Sequence, residues 1–173
     1  MAAVASSLVA VAGSGVASAD PVTVHVDAVR APTSASAKHV PPVDSGVYLR
    51  PGQWAVIAVS GTATCTPDSN HAKSLHCLNA DANGSPDIAG SDFLAPGLRK
   101  FSLVGKVGNG PLMFVGGGPP GGWALAADNV TGPGPLRLGY NDEFKYYADN
   151  TGGFDVNIEI YEKCLGDQIC GPL

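Results

Sequence analysis

The sequence predicts an all-β protein, a sandwich of two sheets, and three observations carry that reading. Short runs alternate apolar and polar residues with a period of two, as in FDVNIEI at 154–160. The 23 glycines and 14 prolines, with Asn and Asp among them, punctuate those runs as turns. No long stretch carries the periodicity of an amphipathic helix. A chain of 173 residues is long enough to bury one real core, and nothing divides it in two.

The elements follow in order. Residues 22–29 (VTVHVDAV) place Val22, Val24 and Val26 on one face of a first strand. Residues 30–44 are rich in Ala, Pro and Ser and read as a connection. Residues 45–52 approach a Pro51-Gly52 turn that feeds a buried strand at 53–61, QWAVIAVSG. Residues 65–97 are long, polar and rich in turn residues, the kind of insertion that carries function on a β scaffold. Strand patterns return at 98–107, 112–115 and 123–126. Leu136, Leu138 and Tyr140 then alternate in PLRLGY, as do Phe154, Val156, Ile158 and Ile160 in GGFDVNIEI. Roughly eight strands emerge, and a two-sheet sandwich accommodates them best.

Charge narrows the partners. Charged residues make up only 14%, and the net charge of −5, with ten scattered basic residues, argues against nucleic acid. Residues 1–19 form a small-residue apolar segment ending in Ala17-Ser18-Ala19, which reads as a signal peptide cleaved after Ala19, so the protein is expected to be secreted. No Lys or Arg precedes that run, which leaves the natural start open. Ser and Gly interrupt it too early for a membrane anchor, and no membrane association is expected.

Export suits the four cysteines. The simplest pairing is local, Cys65 with Cys77 and Cys164 with Cys170, and the other two connectivities stay open. A zinc site of Cys65, His71, His76 and Cys77 is the rival, but adjacent His76 and Cys77 suit tetrahedral coordination poorly and no CxxC pair exists.

Catalytic signals are weak. The chain has neither G-x-S-x-G nor H-E-x-x-H, so neither a nucleophile elbow nor a zincin helix is indicated. Fifteen acidic residues supply many accidental carboxylate pairs, which leaves a hydrolase as the least favoured reading. His25 stands in strand register and reads as a face residue rather than a base. The GGGPPGGW run (116–123) lacks the Gly-Lys-Ser/Thr ending of a phosphate loop, and its prolines remove backbone donors.

The stretch GYNDEFKYYADNTGGFDVNIEI (139–160) is more informative. Asp142 directly follows one strand, and Asp149 and Asn150 directly precede the next. Calcium takes about six to eight oxygens from carboxylates, amides and backbone carbonyls. An excursion that folds back on itself can aim these side chains at one point, with a backbone carbonyl added. The alternative is turn chemistry, which also favours Asp and Asn. The spacing does not match an EF-hand.

The order YND, short loop, DN-TGGF-VNI resembles the PA-IL (LecA) type of bacterial galactose-binding lectins. LRPGQWAVIAVSG, SPD and LVGKVGNG resemble further pieces of that family in the same order, over roughly residues 45–160. The resemblance implies a β-sandwich of jelly-roll (galactose-binding-like) type at 45–163. An N-terminal strand and connection (20–44) would precede it, and a disulfide-closed tail (164–173) would follow. It also implies a calcium ion that binds carbohydrate directly, no enzymatic activity, and the capacity to form oligomers. By resemblance, Asp142 supplies a bidentate carboxylate, Tyr146 and Cys65 backbone carbonyls, and Asp149 and Asn150 side-chain oxygens. Two vicinal sugar hydroxyls would complete the shell, donating hydrogen bonds to Asp142 and Asp149. The sequence departs from the family at the sugar. Asp149 stands where the family has asparagine, Tyr146 replaces threonine, and Ser85 and Ile88 replace a His and a Gln that help hold galactose. Tyr146 and Tyr147 would either stack on a sugar face or pack beneath the loop.

Overall fold

A computed structural model describes residues 21–28, 42–65, 77–117, 123–126, 132–163 and 169–172. Its strands are β1 (Val22–Asp27), β2 (Val43–Leu49), β3 (Gln53–Thr64), β4 (Leu103–Val107), β5 (Met113–Phe114), β6 (Trp123–Ala126), β7 (Gly134–Tyr140), β8 (Thr151–Lys163) and β9 (Ile169–Pro172). One sheet runs β1-β8-β3-β6 with β9 also against β8, and the other runs β2-β7-β4-β5. Every pairing is antiparallel. The protein is an all-β sandwich.

The β3/β8 ladder is the spine, with an unbroken register from Gln53 opposite Glu162 to Thr64 opposite Thr151. Alternation decides which side faces in. Phe154, Val156 and Ile158 are buried while Asp155, Asn157 and Glu159 between them are exposed. Ala55 and Ile57 of β3 join them. Leu136, Leu138 and Tyr140 of β7 and Leu103 and Val107 of β4 complete the core from the other sheet. Each of the large side chains contributes about 1.5–3 kcal/mol on burial.

The structure departs from the sequence expectations at several places. The strand expected from residue 98 begins only at Leu103. Phe101 takes φ +60, a costly conformation for an aromatic residue. It turns the chain so that the ring packs against Phe93 and Tyr140. β3 continues past Gly61 to Thr64. That glycine permits a close approach rather than a stop, because a Cβ there would lie 2.6 Å from the Gly153 carbonyl oxygen. The TGG segment opens β8, which begins at Thr151, directly after Asn150 as expected. Gly152, at φ +77, brings its backbone so near Thr62 that a Cβ would sit 2.4 Å from the carbonyl oxygen. β9 was not foreseen, since ICGP carries no alternation and becomes a strand only by pairing with β8. The Pro51-Gly52 turn forms as expected, with the Gln53 N–H donating to the Arg50 carbonyl at 3.0 Å.

The Cys65–Cys77 bridge is present, with Cα atoms 5.4 Å apart. Its formation removes the zinc alternative, because both thiolates are consumed. His71 and His76 lie outside the described residues, as do Cys164 and the residues carrying its pairing with Cys170. No helix among the described residues is long and apolar enough to cross a membrane.

Candidate functional site

β7 ends at Tyr140 and β8 begins at Thr151, and these two strands belong to different sheets. Residues 141–150 therefore cross from one layer of the sandwich to the other. The crossing is anchored from below. Tyr147 is 2% exposed and donates its hydroxyl hydrogen to the Tyr140 carbonyl. The Tyr140 ring meets that of Phe154 at 5.9 Å between centroids. Tyr147 thus packs beneath the loop and offers no platform to a sugar. A single 3-10 turn (Tyr147–Asp149) then delivers Asn150 in extended conformation.

Asp142 and Asn150 meet at the two ends of this crossing, each 2% exposed. One Asp142 oxygen, Oδ1, accepts from the Glu143 N–H at 2.7 Å. The other, Oδ2, accepts from Asn150 Nδ2 at 2.8 Å. Asn150 Nδ2 also donates to the Ala28 carbonyl at 3.1 Å, so both amide hydrogens are engaged. Asn150 Oδ1 is buried and accepts no hydrogen bond among the described residues. A buried acceptor left in that state costs about 1–3 kcal/mol, and its orientation is fixed by the two bonds on the other end of the planar amide.

These oxygens fit a hard cation: a buried carboxylate, and a buried, unpartnered amide oxygen on the residue whose Nδ2 bonds to it, are oxygen chemistry suited to calcium. No group of three His, Cys, Asp or Glu that could hold a metal occurs among the described residues. Carbonyls would have to fill out the shell. The β3/β8 register ends with Thr64 opposite Thr151, so Cys65 and Asn150 are the next residues along the backbone beyond that last pair. Tyr146 lies between the two donors, its N–H bonded to the Glu143 carbonyl at 3.0 Å. Its half-buried ring lies beneath the Lys145 ammonium, 4.6 Å from the ring centre. Asp149 belongs to the 3-10 turn, and its side chain lies outside the described residues.

Ser85 and Ile88 lie on the long segment between β3 and β4. Ser85 is 1% exposed. Its Oγ accepts from the Asp87 N–H at 3.1 Å and serves its own turn. Ile88 is 60% exposed and forms a bridge with Arg99. This segment flanks the crossing through the Leu94 N–H donating to the Asp142 carbonyl and the Phe144 N–H donating to the Asp92 carbonyl, each at 3.0 Å.

The residue that binds the two segments together is Asn141, which sequence reasoning passed over. It is fully buried. Its Oδ1 accepts from the Ala95 N–H at 2.8 Å. Its Nδ2 donates to the Ala95 carbonyl at 3.2 Å and the Arg99 carbonyl at 2.8 Å. The available signal was an amide wedged between a core tyrosine and the proposed ligand Asp142, a place where a polar side chain must find backbone partners. His25 lies on the outer sheet face, as its register predicts, with Asp155 at 2.7 Å and Asp27 at 3.1 Å.

No family model matches the chain, and no curated protein does. Among solved structures it is similar to the N-terminal domain of EclA, a PllA-like lectin, at 26% identity and a TM-score of 0.50. The match covers 79% of this chain and 92% of that domain. The fold is lectin-like. That similarity is to a lectin rather than an enzyme, and it extends over most of both chains.

Proposed function

We propose that this protein is a secreted, calcium-dependent carbohydrate-binding protein of the PA-IL-like kind, without catalytic activity. The observation that carries the reading is the buried, unpartnered Oδ1 of Asn150, whose Nδ2 bonds to the Asp142 carboxylate, in a fold similar to a lectin domain. Calcium, when bound, would supply a seat for two vicinal hydroxyls of a sugar. Asn150 presents its amide oxygen to the ion, held in orientation by the Ala28 carbonyl. Asp142 neutralises positive charge and accepts a hydroxyl hydrogen bond. The Leu94 and Phe144 backbone bonds keep its main chain in place. Asp149 adds a carboxylate, and the carbonyls of Tyr146 and Cys65 complete the protein's share. Ser85 and Ile88 cannot reproduce the hydrogen bonds of the His and Gln they replace, so selectivity for galactose is not part of the proposal.

Calorimetric titration with calcium and then with a panel of simple sugars tests it. Wild type should take up one calcium ion, and Asp142→Ala should weaken binding by roughly a hundredfold, about 2.7 kcal/mol. Wild type that binds no calcium would overturn the reading. A second reading is a calcium ion that ties β7 to β8 with no sugar, and the 2% exposure of both donors favours it. In that case calcium raises the melting temperature while no sugar produces heat.

A further inference from the structure

We infer that the Cys65–Cys77 disulfide, with the short ladder beside it, is a clasp that positions the Asp142–Asn150 site, so that metal affinity and the redox state of this one bond are coupled. The inference rests on the calcium reading and extends it to regulation. Asn150 stands at the mouth of the β3/β8 ladder, whose last pair is Thr64 opposite Thr151. The end of β3 therefore lies next to the backbone that leads into Asn150. Segment 77–80 holds that end: Ala63 and Ala80 exchange two backbone bonds of 2.9 and 2.8 Å. The Asn79 N–H donates to Thr64 Oγ1 at 3.0 Å, and the Cys65 N–H donates to the Cys77 carbonyl at 3.2 Å. The disulfide joins the same two residues covalently.

The clasp has an uneven build. The Thr64–Asn79 bond is exposed, and strand ends held by exposed bonds open readily. Cys77 is fully buried and belongs to the core cluster, against which Cys65 packs. Reduction removes the one covalent tie between the end of β3 and segment 77–80. A dithiol such as dithiothreitol supplies two electrons and two protons. The Sγ–Sγ bond breaks, two thiols form, and the reductant closes to its cyclic disulfide. β3 is then free to splay at Cys65, and the oxygens around Asn150 lose their fixed spacing.

Linkage makes the coupling reciprocal: the factor by which reduction weakens calcium equals the factor by which calcium disfavours reduction. Calcium affinity is measured on oxidised wild type and on Cys65→Ser/Cys77→Ser, with the melting temperature of each recorded with and without calcium. The expected result is affinity at least tenfold weaker without the disulfide, and a smaller calcium-induced rise in melting temperature. A disulfide that is merely structural lowers the melting temperature but leaves the affinity unchanged. In glutathione buffers, with Cys65 and Cys77 thiols mapped by mass spectrometry, saturating calcium should make the potential about 30 mV more negative for a tenfold coupling. Thr64→Val keeps the disulfide and loosens the ladder, and should weaken calcium about threefold. An unchanged affinity in Thr64→Val, or in the folded double serine variant, overturns the inference. Absence of calcium binding by oxidised wild type overturns the calcium reading itself.

Discussion

The two segments that meet at the candidate site handle their polar groups in opposite ways. The long segment between β3 and β4 satisfies itself: Ser85 Oγ takes the Asp87 N–H, Asp81 takes the Asn83 N–H, and the Ala89 N–H reaches the Leu98 carbonyl. The short crossing at 141–150 buries Asp142 and Asn150 together and leaves an amide oxygen without a partner among the described residues. A segment whose bonds close locally is a wall. A segment that buries an unused acceptor keeps bonding capacity for a partner from outside. Asn141 joins the two, since all three bonds of its amide go from the crossing to the wall.

The sharpest way to break this comparison is to cut that joint. Asn141→Ala strands the Ala95 N–H and two carbonyls, and is expected to cost about 3 kcal/mol in thermal or urea unfolding. A loss under 1 kcal/mol would mean that water replaces the amide easily and that the segments are not joined through it. Gly152→Ala comes next, at about 2 kcal/mol, because its Cβ would strike the Thr62 carbonyl in a backbone already at φ +77. Its calcium affinity should fall as well, since Gly152 lies two residues from Asn150.

Ser85→Ala should cost about 1 kcal/mol and leave calcium affinity within about twofold. A large effect on affinity would move Ser85 from the wall into the site. The smallest effect concerns β1, whose continuation at Ala28 holds Asn150. The hydrogen bond to Asp155, followed by the charges of Asp155 and Asp27, raises the His25 pKa above its ordinary 6.5. The protonated form is therefore favoured in the folded state. The stabilisation is fully present below pH 6.5 and is lost as pH rises through the folded value. His25 is more than half exposed, so solvent screening holds the contribution below about 0.5 kcal/mol. His25→Gln should flatten the pH dependence of the melting temperature by that small amount.

Much of the fold was legible because period-two alternation is a local signal. The buried faces of β7 and β8 follow from Leu136, Leu138, Tyr140, Phe154, Val156 and Ile158 alone. Glycine misled at Gly61, where β3 was expected to end, because a residue that marks turns also permits two backbones to touch. At the site, Asp142 and Asn150 were named from sequence and meet in the structure through a 2.8 Å bond. Asn141 was not named, because its partners at Ala95 and Arg99 lie more than forty positions away.

By itself the sequence determined the class of fold, the strand faces and the oxygen-rich character of residues 139–160, all of which depend on neighbours along the chain. Only the tertiary structure decided that β7 and β8 lie in separate sheets, so that the loop between them crosses the sandwich instead of closing a hairpin. It also decided that the end of β3, with its disulfide, lies where β8 begins, next to Asn150. Both are matters of which distant strands pair, and pairing is settled by packing over the whole core rather than by any local pattern.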